Sequence, residues 1–370
     1  MGLGIGLIGS GYMGKCHAMA WNSVATVFGD VERPRLVALA DATEELASRH
    51  AKAFAFDRGT GNWRDLVADP DIDVISIAAP NQFHAEMAIA ALEAGKHVWC
   101  EKPMATSLED ATRMRDAAQA SGKTAILGYN YIQNPMMRQA SRLIAEGEIG
   151  TVNHIRLEMD EDYMADPDEA FYWKSAATSG YGALDDFAVH PLSLLTVLHG
   201  RITSVVADMA KPYEDRPAAG GGRRAVENHD ISQALFRTEN GASGVLMVNR
   251  SAWGRKGRIA VQIFGSEGSI LFDQERMNEL QVFTRKDRSD TQGYRTLLAA
   301  PAHPPYQQFI PAPGHGLGFN ELKVIECREL LRLIDGDKAA HVIDFDTGLE
   351  IERIVHATAQ SAERRSWVEL

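Results

Sequence analysis

The residues best able to move a proton are His190 and Lys102. His190 lies four residues after Asp186, a spacing that sets both side chains on one face of a helix, and imidazole changes charge near neutral pH. Oxidising a secondary alcohol requires a base to take the hydroxyl proton while a hydride leaves carbon, and a histidine with a carboxylate beside it suits that task. Asp186 can bind the substrate hydroxyl, orient the imidazole or raise its basicity, and spacing leaves all three open. Lys102, in the run Glu101-Lys102-Pro103, offers a cation to stabilise a developing alkoxide or to share the proton with His190. Each also has an ordinary structural reading: a buried, hydrogen-bonded histidine and a surface lysine at a strand end. Pro191 places the start of a helix near His190, since proline is tolerated in a first turn.

A hydride needs an acceptor, and residues 4–14, Gly-Ile-Gly-Leu-Ile-Gly-Ser-Gly-Tyr-Met-Gly, have the form of a nucleotide-binding turn. Ile5, Leu7 and Ile8 make a short buried strand, and Gly9, Gly11 and Gly14 follow at the G-x-G-x-x-G spacing. The first glycine permits a tight turn, the second lets backbone approach a pyrophosphate, and the third lets helix and sheet pack closely. Phosphates would then rest on free helix amides. A helix-compatible run, 15–27, and a second strand, 35–40, follow, and that strand ends in Asp41. A carboxylate there accepts both adenosine ribose hydroxyls and repels a 2′-phosphate, so NAD is expected over NADP. Asp41 reads alternatively as the cap of a helix beginning near Thr43.

The elements that must position these groups alternate. Residues 74–79 are strand-like, 83–94 helical and 96–100 strand-like again, implying a doubly wound parallel sheet whose ligands bind beyond the carboxyl ends of the strands. Pro80-Asn81 and Glu101-Lys102-Pro103 follow two of those ends. The cofactor-binding candidates are therefore Gly9, Gly11, Tyr12, Met13, Gly14, Asp41, Pro80, Asn81, His84, Glu101 and Lys102. Alternation stops near Gly128. After a helix over 135–146, strands are predicted at 151–159, 202–209, 231–237, 244–250, 259–264 and 269–272, with connections short enough for antiparallel pairing. This gives an NAD-binding domain at 1–128 and a substrate and oligomerisation domain at 129–370, closed by helices at 320–334 and 347–363, the last a candidate to pack back on the first domain. An uncovered sheet face would favour a homo-oligomer, dimer or tetramer. Residues 211–230 and 288–318 read as long irregular stretches; His303, Tyr306 and His315 in the second are given no catalytic role.

Composition narrows the partners. With 370 residues the chain suits two domains, and 45% hydrophobic with 24% charged residues is a globular balance. A net charge of -12 without a basic cluster argues against nucleic acid and anionic membrane, leaving a small molecule. Cys16, Cys100 and Cys327 are too few and scattered for a disulfide framework, no export signal precedes the first strand, and a cytoplasmic location is expected. His97, His190 and His199 show no ligand spacing, so no metal is expected.

Together the glycine turn, Glu101-Lys102-Pro103 and Asp186-Phe187-Ala188-Val189-His190 resemble the Gfo/Idh/MocA oxidoreductases, in the same order and over nearly the full chain. The resemblance implies an α/β protein with an N-terminal Rossmann domain, a C-terminal α/β domain with a large, mostly antiparallel open sheet, and a nicotinamide cofactor. It also implies substrate contacts from Asn130, Tyr131, Trp173 and Lys174 besides Lys102, Asp186 and His190. Aromatic faces pack on sugar rings, and Asn130 can donate and accept at once. The sequence departs from the family pattern at Ile132, where arginine is frequent, and at Ser193, where aspartate is frequent. No arginine pair marks a carboxylate or phosphate clamp in these segments, so the expected substrate is an uncharged polyhydroxylated ring, a carbohydrate or cyclitol. The alternatives are a glycoside hydrolase that oxidises the ring transiently with bound NAD, and a non-catalytic nucleotide sensor.

Overall fold

A computed structural model describes residues 2–370 and divides them into two units, one running to Gln133 and taking in Leu317–Glu350, the other comprising Asn134–Gly316 and Ile351–Leu370. The first unit starts with β1 (Gly4–Ile8), α1 (Tyr12–Phe28), β2 (Arg35–Ala40), α2 (Glu44–Phe54), β3 (Arg58–Thr60) and α3 (Trp63–Ala68). It continues with β4 (Val74–Ile77), α4 (His84–Glu93), β5 (His97–Cys100), α5 (Leu108–Ser121) and β6 (Ala125–Leu127). The second unit supplies α6 (Pro135–Ala145), β7 (Val152–Glu161), α7 (Val189–Leu198), β8 (Ile202–Ala210), β9 (Asp215–Pro217), β10 (Arg223–Ala225) and β11 (Ile231–Thr238). Then come β12 (Ser243–Asn249), β13 (Lys256–Gly265), β14 (Gly268–Asp273), β15 (Glu279–Thr284) and β16 (Arg295–Leu298). The chain ends with α8 (Phe319–Ile334), β17 (Ile343–Asp344), α9 (Phe345–Arg364) and β18 (Val368–Glu369).

In the first unit the strands order as β17-β6-β5-β4-β1-β2-β3, parallel throughout except for β17. That is the doubly wound arrangement expected of largely apolar strands such as β1 and β4, every residue of which is buried. The order reverses between β1 and β4, where such sheets bind their ligands. In the second unit the order is β16-β15-β14-β13-β7-β12-β11-β8-β18, antiparallel except for the β7–β12 pair. β11 alternates strictly, with Ser232, Ala234, Phe236 and Thr238 buried, while the other face carries exposed Leu235 and Met247.

Several sequence expectations shift. The chain groups not as 1–128 and 129–370: residues 129–133, with Asn130 and Tyr131, belong to the first unit, and so does the return segment Leu317–Glu350. α8 packs on α1, an association no local pattern announces. α9 groups with the first unit only up to Glu350, and with the second beyond it. The stretch 211–230 contains the β9–β10 hairpin, and β16 lies inside 288–318. These strands have no apolar alternation to betray them; β9 and β10 are held by backbone pairing and by the Arg223 guanidinium on Asp215. Among the described residues no helix is long and apolar enough to cross a membrane.

Candidate active site

In the first unit the three glycines of the turn do separate work. Gly9 has φ 92°, and a Cβ there would strike the Ala78 carbonyl. A Cβ on Gly14 would strike the Gly9 carbonyl, whereas nothing lies within 4 Å of the corresponding point on Gly11. The turn is thus tight, closely packed on the sheet, and open where a phosphate must approach. Gly11 caps α1 without a side chain of its own, leaving the first amides of the helix, with Tyr12 exposed and Met13 half-buried beside them.

Asp41 is held by that same turn. Its Oδ2 accepts from the Ser10 amide (2.8 Å) and from the Ser10 hydroxyl, and its Oδ1 accepts from the Ala42 amide (2.6 Å). Since the hydroxyl donates to the carboxylate, it accepts from His50 Nδ1 (2.5 Å), giving a chain His50→Ser10→Asp41. The helix cap is Thr43, whose hydroxyl accepts from the Leu46 amide, so Asp41 is left for another partner.

Pro80 is exposed and Asn81 half-buried at the end of β4. His84 is fully buried between the two strand ends; its Nδ1 lies 2.8 Å from the Pro103 carbonyl and its Nε2 2.9 Å from the Ala79 carbonyl, so both ring nitrogens face backbone rather than a cofactor. Burial pushes its basicity down although Pro103 and Ala79 oppose this. Lys102 is half-buried beside it. Glu101, in contrast, turns inward onto His17 and Lys323. Asn130 is buried, and the Tyr131 ring packs edge-on to Phe319, with centroids 5.8 Å apart.

In the second unit Asp186 is the centre. Lys174 Nζ donates to both its oxygens (2.8 and 3.0 Å), the Tyr163 hydroxyl donates to Oδ2, and Arg250 Nη1 stands 3.8 Å from Oδ2. Arg250 is in turn fixed by Asp230 (2.6 Å) and Asn228 (3.2 Å), and donates to the Lys174 carbonyl (3.3 Å), which also accepts from Asn228 Nδ2 (2.8 Å). Burial, reinforced by the Asp186 charge, holds the Tyr163 phenol well above its ordinary pKa, so it is a donor at neutral pH. The neighbouring Asp185 faces away toward the Tyr181 amide, and burial raises it to about 7. The Lys174 ammonium lies 5.9 Å from the Trp173 ring, which is 36% exposed.

Asp186 and His190 are both nearly buried. As expected from Pro191, α7 starts next to His190, at Val189, but it is preceded without a break by a widened π-helical turn, Leu184–Ala188. The ring of Pro191 cannot coexist with a regular bond to the carbonyl four residues back, and widening the preceding turn removes the conflict. Ser193, at the departure from the family pattern, donates to the His190 carbonyl (2.7 Å) and Ile132 is core. In the 288–318 stretch, His303 accepts from the Ala300 amide (3.1 Å), and Tyr306 is buried between Ala312 and Gly316, so both hold the loop.

Sequence reasoning missed Ser10, His50, Tyr163, Asn228, Asp230, Arg250, His17, Lys323 and Glu326. Only Ser10, inside the glycine motif, carried a local signal.

A doubly wound sheet with an open glycine turn, and an acidic second strand end anchored by that turn, define an NAD-binding oxidoreductase, and the chain belongs to the Gfo/Idh/MocA family. Residues 3–129 match that family's NAD-binding Rossmann fold and residues 137–271 its C-terminal domain. The levoglucosan dehydrogenase of Pseudarthrobacter phenanthrenivorans is 36% identical, over 100% of this chain and 98% of its own. A solved levoglucosan dehydrogenase in complex with NADH and levoglucosan superposes with a TM-score of 0.95 at 36% identity, covering 100% of this chain and 99% of that one. The scyllo-inositol 2-dehydrogenase (NAD(+)) of Bacillus subtilis is 25% identical over 95% of this chain and 92% of its own.

Proposed function

We propose that the chain oxidises a secondary ring hydroxyl of a sugar, glycoside, anhydrosugar or cyclitol with NAD, and that levoglucosan is the first substrate to try. The observation that carries this reading is full-length similarity to a dehydrogenase solved with NADH and levoglucosan. The arrangement around Asp186 supports it: a carboxylate fixed by a cation and a phenol, four residues before a histidine.

When bound, NAD supplies the nicotinamide that takes the hydride. The α1 amides and Gly11 would hold its pyrophosphate, and Asp41 its adenosine ribose. Asp186 is a hydrogen-bond acceptor for a substrate hydroxyl or for the His190 ring, and Lys174, 2.8 Å away, holds it oriented. Lys102 and His190 are the acid/base groups: one takes the hydroxyl proton, the other stabilises or relays it. Asn130, Tyr131 and Trp173 would meet the remaining hydroxyls and ring faces.

Lys102→Ala and His190→Ala are each expected to lose about 100-fold or more in kcat while NADH still binds, in keeping with loss of a proton-transfer group. Turnover at the wild-type rate in either removes that residue from the mechanism. Association through the exposed Leu235 and Met247 face belongs to the same proposal, and a monomeric mass by sedimentation contradicts it.

A further inference from the structure

The first unit buries a cluster of charges that the chemistry above does not use. Lys323, on α8, is fully buried, and its ammonium donates to Glu101 Oε1 (2.5 Å) and to Glu326 Oε2 (2.8 Å). Glu101 Oε1 also accepts from His17 Nε2 (2.8 Å), while His17 Nδ1 meets the Ser76 hydroxyl (2.7 Å). Trp99 closes the cluster: its ring stacks on His17 with centroids 3.9 Å apart, and Lys323 Nζ lies 5.2 Å from it. Gly128 leaves room, because a Cβ there would collide with both the Glu101 carboxylate and the Lys323 ammonium. Burial penalises the Glu101 charge, but Lys323 and His17 outweigh it and hold the carboxyl well below its usual range.

A buried ion pair is weak evidence of stabilisation, since two charges lose much of their hydration. Its position is more informative. The Glu101 amide donates to the Ile77 carbonyl (2.9 Å), the last bond tying β5's end to β4, and Lys102 comes next. One residue further, the Pro103 carbonyl is held by His84. Lys102 therefore sits between two anchored neighbours, one of them gripped through its side chain by a residue 222 positions away in sequence.

We propose that Lys323 is a positioning residue for Lys102: by gripping Glu101 from α8 it sets the strand end from which Lys102 reaches its substrate. The inference rests on Lys102 being an acid/base group, and the test separates the two. Melting temperature, NADH affinity and levoglucosan turnover with NAD are compared in wild type, Lys102→Ala, Glu101→Gln, Lys323→Met and the double variant Glu101→Gln/Lys323→Met. The double variant leaves a neutral cluster, so it is expected to regain the melting temperature that Lys323→Met loses. Its kcat should nonetheless stay about 10- to 100-fold down with NADH affinity little changed, the pattern of a misplaced catalytic group. If kcat returns together with the melting temperature, the cluster is scaffold only and the inference falls. Should the double variant not fold, Glu101→Gln, which changes no volume, decides, and full kcat there overturns it. Full turnover in Lys102→Ala would instead sink the acid/base reading; where wild type does not turn over levoglucosan the comparison is run on the sugar, glycoside or cyclitol it does oxidise, and a wild type inactive on all of them would sink both.

Discussion

At the scale of single residues, the proposed preference for NAD through Asp41 rests on how that carboxylate is held rather than on its presence alone. A carboxylate that receives the Ser10 amide and hydroxyl and the Ala42 amide cannot swing aside for a 2′-phosphate. Asp41→Ala should weaken NADH binding about tenfold or more and narrow the preference over NADPH, from the loss of charge-assisted bonds. Ser10→Ala should do the same by a smaller factor, roughly 2- to 10-fold, since it removes one neutral donor and disconnects His50. Fluorescence titration with both reduced cofactors measures this; unchanged ratios in both variants would contradict the role given to the turn.

At the scale of elements, α8 brings titrating groups into the first unit's core, and their pH dependence has a defined sign. Burial raises Glu326 from 4.5 to about 7, with Lys323 opposing only in part. Between those values the unfolded chain releases a proton that the folded chain keeps, so this group costs stability progressively as pH rises from 4.5 to 7. His17 acts oppositely: burial lowers it from 6.5 to about 4, so its cost appears as pH falls through that interval. The two nearly offset in the wild type. Glu326→Gln should therefore gain stability relative to wild type as pH rises from 5 to 8, by of order 2–3 kcal/mol, measured by denaturant unfolding. A difference independent of pH would mean Glu326 is ionised throughout. The sequence could not announce this cluster, because Lys323 and Glu326 three residues apart on a helix look like an ordinary solvated pair. The elements that were legible, β1, β2, β4 and β5 with their helices, are local in origin: apolar runs, glycine stops and short connections. Of those that were not, β3, β9, β10, β17 and β18 are two or three residues long and owe their existence to neighbours already in place, while β15 and β16, six and four residues long, extend the second sheet beyond the last strand predicted.

At the scale of the whole molecule, the candidate chemistry is spread over both units, with Lys102 in the first and Asp186 and His190 in the second. The residues proposed to carry a proton are readable from type and spacing. Those that hold them were not, since Tyr163, Asn228, Asp230 and Arg250 converge on Asp186 and Lys174 only through the fold. The dehydrogenase reading needs all of them to serve one reaction, and the most direct test is NADH formation from NAD across levoglucosan, glucosides, free hexoses and inositols, with Lys102→Ala as the blank. The account predicts NADH with one or more of these polyols and none above background in the blank. Silence across the panel while NAD binds tightly would contradict it, and would favour transient ring oxidation without net NADH or a nucleotide sensor.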